Sequence, residues 1–146
     1  MPYQLIVCGG LAPDPLQTLE PVAGPALKNE MMLPAVFDPW ASHALYEAAN
    51  LAKQHPGSSI KVVSLAPKAK LQQVMMTVAQ KLPFELVPID GPGGGFTDAA
   101  SVASALAEAI LAIPGLDRSQ MLVFGGWESA TRGAGVVMQM VGEKLG

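Results

Sequence analysis

Residues 4–10 read QLIVCGG. Leu5 to Cys8 are apolar without a break, and Gly9 and Gly10 close the run. A short apolar run with no polar alternation is what a strand covered on both faces requires, so the stretch predicts a central strand of a parallel sheet. Residues 120–126, QMLVFGG, repeat the pattern near the other end of the chain and predict a fourth buried strand. Between them, residues 59–67 (SIKVVSLAP) and 84–89 (FELVPI) read as the second and third strands, with Pro88 shortening the third or holding it near an edge.

Helix signals fill the intervals. Residues 38–57, DPWASHALYEAANLAKQHPG, offer Asp38 as N-cap and Pro39 at the first helical position. Ala41, Leu45, Ala48 and Ala52 form one stripe, flanked by Trp40 and Tyr46, and His55-Pro56-Gly57 is the stop. Leu71, Val74, Met75, Val78 and Leu82 mark a second helix in which the Met pair reads as core filling. Thr97 is the expected cap of a third helix reaching Ile113, with Val102, Leu106 and Ile110 on its buried face, and residues 136–145 read as a fourth. Four strands alternating with helices predict one domain over residues 1–146: a Rossmann-like three-layer α/β/α sandwich with spatial strand order 3-2-1-4, allowing a further strand. Residues 11–37 carry too many prolines for a long helix and read as an extended surface excursion. Its apolar pieces LQTLEPV and MMLPAVF are expected to cover a sheet edge or to meet a partner chain.

Composition narrows the function classes. At 146 residues the chain can bury a substantial core. A net charge of -3 and a pI near 5.2 argue against a phosphate-backbone footprint, so no nucleic acid partner is expected. A lone cysteine permits no internal disulfide and, without a His cluster, no metal site is expected. No run approaches the roughly 18 apolar residues of a membrane span and the N-terminus lacks a signal pattern, so the expected setting is cytoplasmic, with no membrane partner. His43 and His55 read as surface or helix-end residues, Ser64 and Ser129 lack a His-carboxylate pair, and no catalytic constellation emerges.

In such a sheet a ligand binds beyond the carboxyl ends of the strands, where strand order reverses. If the first strand is central, its glycine end and that of the fourth strand are neighbours there. Residues 125–142, GGWESATRGAGVVMQMVG, supply glycines, hydroxyls and Arg132 ahead of a helix, but no lysine of a triphosphate-gripping loop. One reading is a mononucleotide whose phosphate meets the amides of residues 133–135 and the guanidinium of Arg132; the other is a tight strand-to-helix turn without a ligand. Trp127 in this loop is either a lid on a base or a contact for another subunit.

Four segments resemble electron transfer flavoprotein beta subunits. LVFGGWESATRGAGVVMQMVGEKLG resembles that family's strand, D-G-D-T-G-Q-type loop and helix; VFDPWASHALYEAANLAK resembles its N-P-F-[DE]-x-x-A-[LV]-E-E-A helix start; VVSLAP resembles V-S-x-G-P and GGLAPDP resembles K-Q-V-P-D-T. They occur in the family's order across nearly the whole chain. The resemblance implies an adenine-nucleotide hydrolase-like fold, related to universal stress proteins. It further implies a structural AMP and an alpha-type partner that carries FAD, with FAD reaching this chain only at their interface, and a dehydrogenase as a further partner. Carried over by position, the nucleotide site comprises Cys8, Gly9, Asp38, Pro39, Leu65, Gly126, Thr131, Arg132, Gly133, Ala134 and Gly135, with the base near Cys8 and Leu65.

The departures lie in the phosphate loop. Ala134 and Val136 stand where the family has Thr and Gln, Thr131 and Gly133 replace acidic residues, and Asp38 stands where Asn is usual. Two missing donors imply weak AMP binding. The family's long segment beyond this point has no counterpart here, which implies an isolated N-terminal domain or a shortened relative. Two other functions remain open: a free-standing adenine-nucleotide binder of the universal stress protein type, and an interaction domain, self-associating or partnered, that has lost its ligand.

Overall fold

The computed structural model describes residues 1–146. In chain order the elements are β1 (Gln4–Cys8), β2 (Leu11–Pro13), β3 (Pro21–Val22), β4 (Ala26–Leu27), β5 (Ala35–Phe37), α1 (Pro39–Gln54), β6 (Ser59–Ala66), α2 (Lys68–Ala79), β7 (Glu85–Asp90), α3 (Ala99–Leu111), β8 (Met121–Gly125) and α4 (Val137–Leu145). The main sheet has four strands in the order β7-β6-β1-β8, all parallel. Counting only these four, that is 3-2-1-4, as the alternation predicts, and no fifth strand joins them.

β1 is central because its residues have apolar neighbours on every side. Val7 lies between Val62 and Phe124 in register, and Cys8 between Val63 and Gly125. Side chains alternate across a strand, so Leu5 and Val7 enter one core with α1 and α2 while Ile6 and Cys8 enter the other with α3 and α4. Leu5, Ile6 and Val7 are fully buried. Both faces of the sheet are covered, giving the three-layer α/β/α sandwich.

The helices follow their caps, with corrections. Asp38 accepts from the Trp40 amide at 2.9 Å, with Pro39 in the first turn. Ala41, Leu45 and Ala48 are buried along the predicted stripe, joined by Ala44 and Ala49, while Ala52 is only half-buried. α2 starts at Lys68, three residues before Leu71, and stops at Ala79, short of Leu82. Met75 is buried and Met76 exposed, so only one of the Met pair fills the core: one residue of helix turns the side chain by about 100°. α3 is capped by Asp98, not Thr97. Asp98 accepts from the Ser101 amide and hydroxyl, which holds its carboxyl below the usual range, whereas the Thr97 hydroxyl turns back to the Pro92 carbonyl.

Two expectations about coverage fail. β8 is an edge strand rather than a buried one: it pairs only with β1, and Leu122 is 37% exposed. The excursion is not extended but folds into two short antiparallel pairs, β2 with β5 and β3 with β4, with a 3-10 turn at Glu30–Met32 between β4 and β5. It adds no strand to either edge of the main sheet. Phe37 is buried in the core with α1 and α2, whereas Leu16 and Met32 stay 95% and 84% exposed.

Candidate functional site

Strand order reverses between β1 and β8, whose ends carry Gly9-Gly10 and Gly125-Gly126. Packing already needs two of these glycines. A Cβ on Gly9 would stand 2.4 Å from the Ala41 Cβ and 2.7 Å from the Phe37 ring, and one on Gly126 would stand 2.5 Å from the Trp40 Cβ. The start of α1 therefore presses directly on both strand ends.

Asp38 is 5% exposed, and both of its oxygens are engaged by backbone. One accepts from Trp40, and the other accepts from the amide of Ala130 at 2.9 Å, tying the loop after β8 to the start of α1. Beside it, Arg132 donates to the Gly94 carbonyl at 3.2 Å, while its buried Nε has no acceptor. Burial lowers the Arg132 pKa and the charge of Asp38 opposes that shift. An arginine's ordinary value lies far above neutrality, so the guanidinium is the fixed positive charge of this corner.

Between these groups lies a small cavity of about 60 Å³. Of the residues singled out from sequence, Cys8, Gly9, Asp38, Leu65, Gly126, Thr131, Arg132 and Ala134 border it. Pro39 does not; it lines a neighbouring chamber. Gly133 and Gly135 are exposed and stand outside it. The Gly133 amide, expected to meet a phosphate, is used up: it donates to the Ser129 carbonyl at 2.7 Å, closing a turn in which Gly133 takes φ 61°. The amides of Ala134 and Gly135 have no acceptor in the protein and remain available.

Sequence reasoning missed the wall opposite this loop, formed by Val102, Leu106 and Met138. Val102 and Leu106 belong to α3 and Met138 to α4, and periodicity does not distinguish a residue under the sheet from one at a cavity wall. Trp127 stands at the mouth, 71% exposed, with its ring edge-on to Trp40 at 5.7 Å. Neither histidine borders the cavity: His55 packs edge-on against Tyr3, and His43 lies near Trp40. No group of three or more His, Cys, Asp or Glu side chains is placed to hold a metal ion, and no helix is long and apolar enough to cross a membrane.

Small-molecule sites usually enclose about 300–1,000 Å³, and a water takes up about 30 Å³ of liquid. At 60 Å³ the crevice is closed to a nucleotide in this conformation. The chamber beside it measures about 750 Å³ and shares Leu11, Gly93 and Thr131 with it. No protein-family model matches the chain, and no curated protein matches it in sequence.

Cys8 gives a check on how dry the crevice floor is. Burial pushes its thiol from 9.0 up to about 12, so the native protein is expected to resist Ellman's reagent at pH 8 and to react on unfolding. Because the folded pKa is the higher one, the thiol's contribution to stability is complete below pH 9 and is lost as pH rises toward 12. Rapid labelling of the native protein would show a crevice open to water. A Cys8→Ser variant with the same alkaline decline would assign that decline to another group.

Proposed function

We propose that the chain is a nucleotide-holding subunit of the electron transfer flavoprotein beta type, seating AMP as a structural ligand between the carboxyl ends of β1 and β8 and acting with an FAD-carrying alpha-type partner. The observation that carries this reading is convergence. Cys8, Asp38, Leu65 and the loop from Gly126 to Ala134 come from four distant parts of the chain, three of them within the segments that resemble the family, and they border one crevice at the switch point.

The chemistry fits a monoanionic or dianionic phosphate. Arg132 supplies a cation with a free Nε–H, and Ala134 and Gly135 supply unengaged amides ahead of α4. The volume does not fit until the loop after β8 moves, and the exposed Trp127 is the lid that would swing. Asp38 is positioned to hold that loop rather than to reach ligand. Bound flavin on the partner would supply the electron chemistry; this chain's residues bind and orient.

Calorimetry should detect weak AMP binding and no hydrolysis of ATP. Ala134→Thr with Val136→Gln should strengthen binding about 10-fold, since one charge-assisted bond contributes roughly 1.5 kcal/mol or more. Arg132→Met should weaken it by a similar factor. Absence of heat with both natural and restored loops would exclude the site. A second reading, an interaction domain without ligand, is favoured by the closure itself: the cavity is 60 Å³, and Asp38 and the Gly133 amide are spent on the protein's own backbone.

A further inference from the structure

The chamber beside the crevice is an open groove of about 750 Å³, which is the size of a small-molecule site. We propose that it binds an apolar molecule carrying a single anionic group, such as an aliphatic or aromatic carboxylate, with Lys70 as the anion's partner. This site goes beyond the AMP reading and does not depend on it.

The walls come from five places that only the fold brings together: the end of β6 with Pro67 and the first turn of α2, the excursion, Pro39 at the start of α1, the glycine-rich turn before α3, and Ala130 and Thr131 of the loop after β8. Leu19, Leu27, Leu33, Val36 and Phe96 make the lining largely apolar. A concave, mostly apolar lining of this size suits an apolar ligand body. Lys70 is the one cationic side chain of the lining, and it is half-buried. Its ammonium donates to the Glu30 carbonyl at 2.7 Å, which uses one of three donors. No carboxylate pairs with it; the two ion pairs of the protein are Lys28 with Glu20 and Lys61 with Glu85. The amide end of α2 is already met by Asp90, which accepts from the Lys68 amide at 2.9 Å, so the anion's partner is the Lys70 ammonium itself, with two donors left free.

Glu30 sets the charge limit. Its carboxylate lies against Gly94, where an added Cβ would come within 3.3 Å of Oε1. One carboxylate in the lining disfavours a second charge on the ligand, which selects a monoanion with an apolar body. Leu16 and Met32, exposed on the same excursion, lie outside the lining.

The test titrates the full chain with 8-anilinonaphthalene-1-sulfonate, an apolar aromatic monoanion, and displaces it with decanoate, decylammonium or decanol below their aggregation limits. Saturable 1:1 fluorescence is expected, with decanoate displacing the dye at about 10-fold lower concentration than decylammonium. Lys70→Gln should weaken decanoate about 10-fold and leave decanol unchanged, while Lys70→Arg should keep decanoate within about threefold. Leu16→Ser with Met32→Ser should leave dye binding as it was. Loss of the dye in that double variant would place binding on the exposed patch and overturn the proposal. Equal competition by decanoate and decylammonium would also overturn it, as would undiminished decanoate affinity in Lys70→Gln. If Lys70→Gln does not fold, decanoate binding no tighter to Lys70→Arg than decylammonium binding decides against the anion site.

Discussion

Asp38→Ala is expected to destabilise the protein by about 3 kcal/mol, lowering Tm by roughly 10 °C for a chain of this size. The carboxylate caps α1 through the Trp40 amide and, from 5% exposure, also holds the Ala130 amide 92 residues away. Losing an N-cap costs about 1 kcal/mol. Removing the acceptor of a second, charge-assisted bond adds about 1.5–3 kcal/mol. Asp38→Asn separates the two contributions. Its single amide oxygen can keep the cap, but its NH2 then faces the Ala130 N–H, donor against donor. About half the loss should remain, with hydrogen exchange accelerated in the loop after β8 and unchanged in α1. If Asp38→Ala unfolds within 1 kcal/mol of the parent, the staple is not what holds the crevice shut.

Gly9→Ala should cost a comparable amount, about 3 kcal/mol, at the upper end of what overpacking a core does. The new methyl would meet the Ala41 Cβ at 2.4 Å and the Phe37 ring at 2.7 Å, and neither is the loose tip of a flexible side chain. Gly10→Ala is the control, since a Cβ there has nothing within 4 Å, and it should stay within about 0.5 kcal/mol of the parent. Ala41→Gly should recover part of the loss in combination with Gly9→Ala, although alone it weakens α1 by about 1 kcal/mol. Urea unfolding of the four variants measures all of this. Equal effects at Gly9 and Gly10 would mean that α1 is not seated on the strand end.

Much of the candidate site was legible because its parts carry local signatures. A run of apolar residues stopped by paired glycines marks a buried parallel strand, and Asp-Pro ahead of an alanine-rich stripe marks a helix start. The topological rule then brings β1 and β8 side by side. Eight of the eleven residues singled out border the cavity. The other three failed for specific reasons: Pro39 faces the chamber instead, and Gly133 and Gly135 are exposed in a turn that closes on Ser129. Glycine spacing shows where a backbone can bend, not which way its amides point once it has bent.

The 750 Å³ chamber left no mark that could be read beforehand. Its lining is contributed mainly by prolines and aliphatic residues of the excursion, with pieces of α1, β6, α2, the turn before α3 and the loop after β8, and no single motif gathers them. Nor could the excursion's short strand pairs be anticipated, because pairs of two or three residues have no measurable period.

By itself the sequence determined the strands of the parallel sheet and the caps of α1, since apolar period, glycine stops and N-cap chemistry act over a few residues, and the topological rule for such alternation then set the strand order. Tertiary structure alone decided that β8 lies at an edge, that Met76 faces solvent, that Asp38 ties α1 to the last loop, and that the crevice is small while the chamber beside it is large. These are outcomes of how much space remains when elements distant in sequence pack together, and a volume left between surfaces is set by all of them at once.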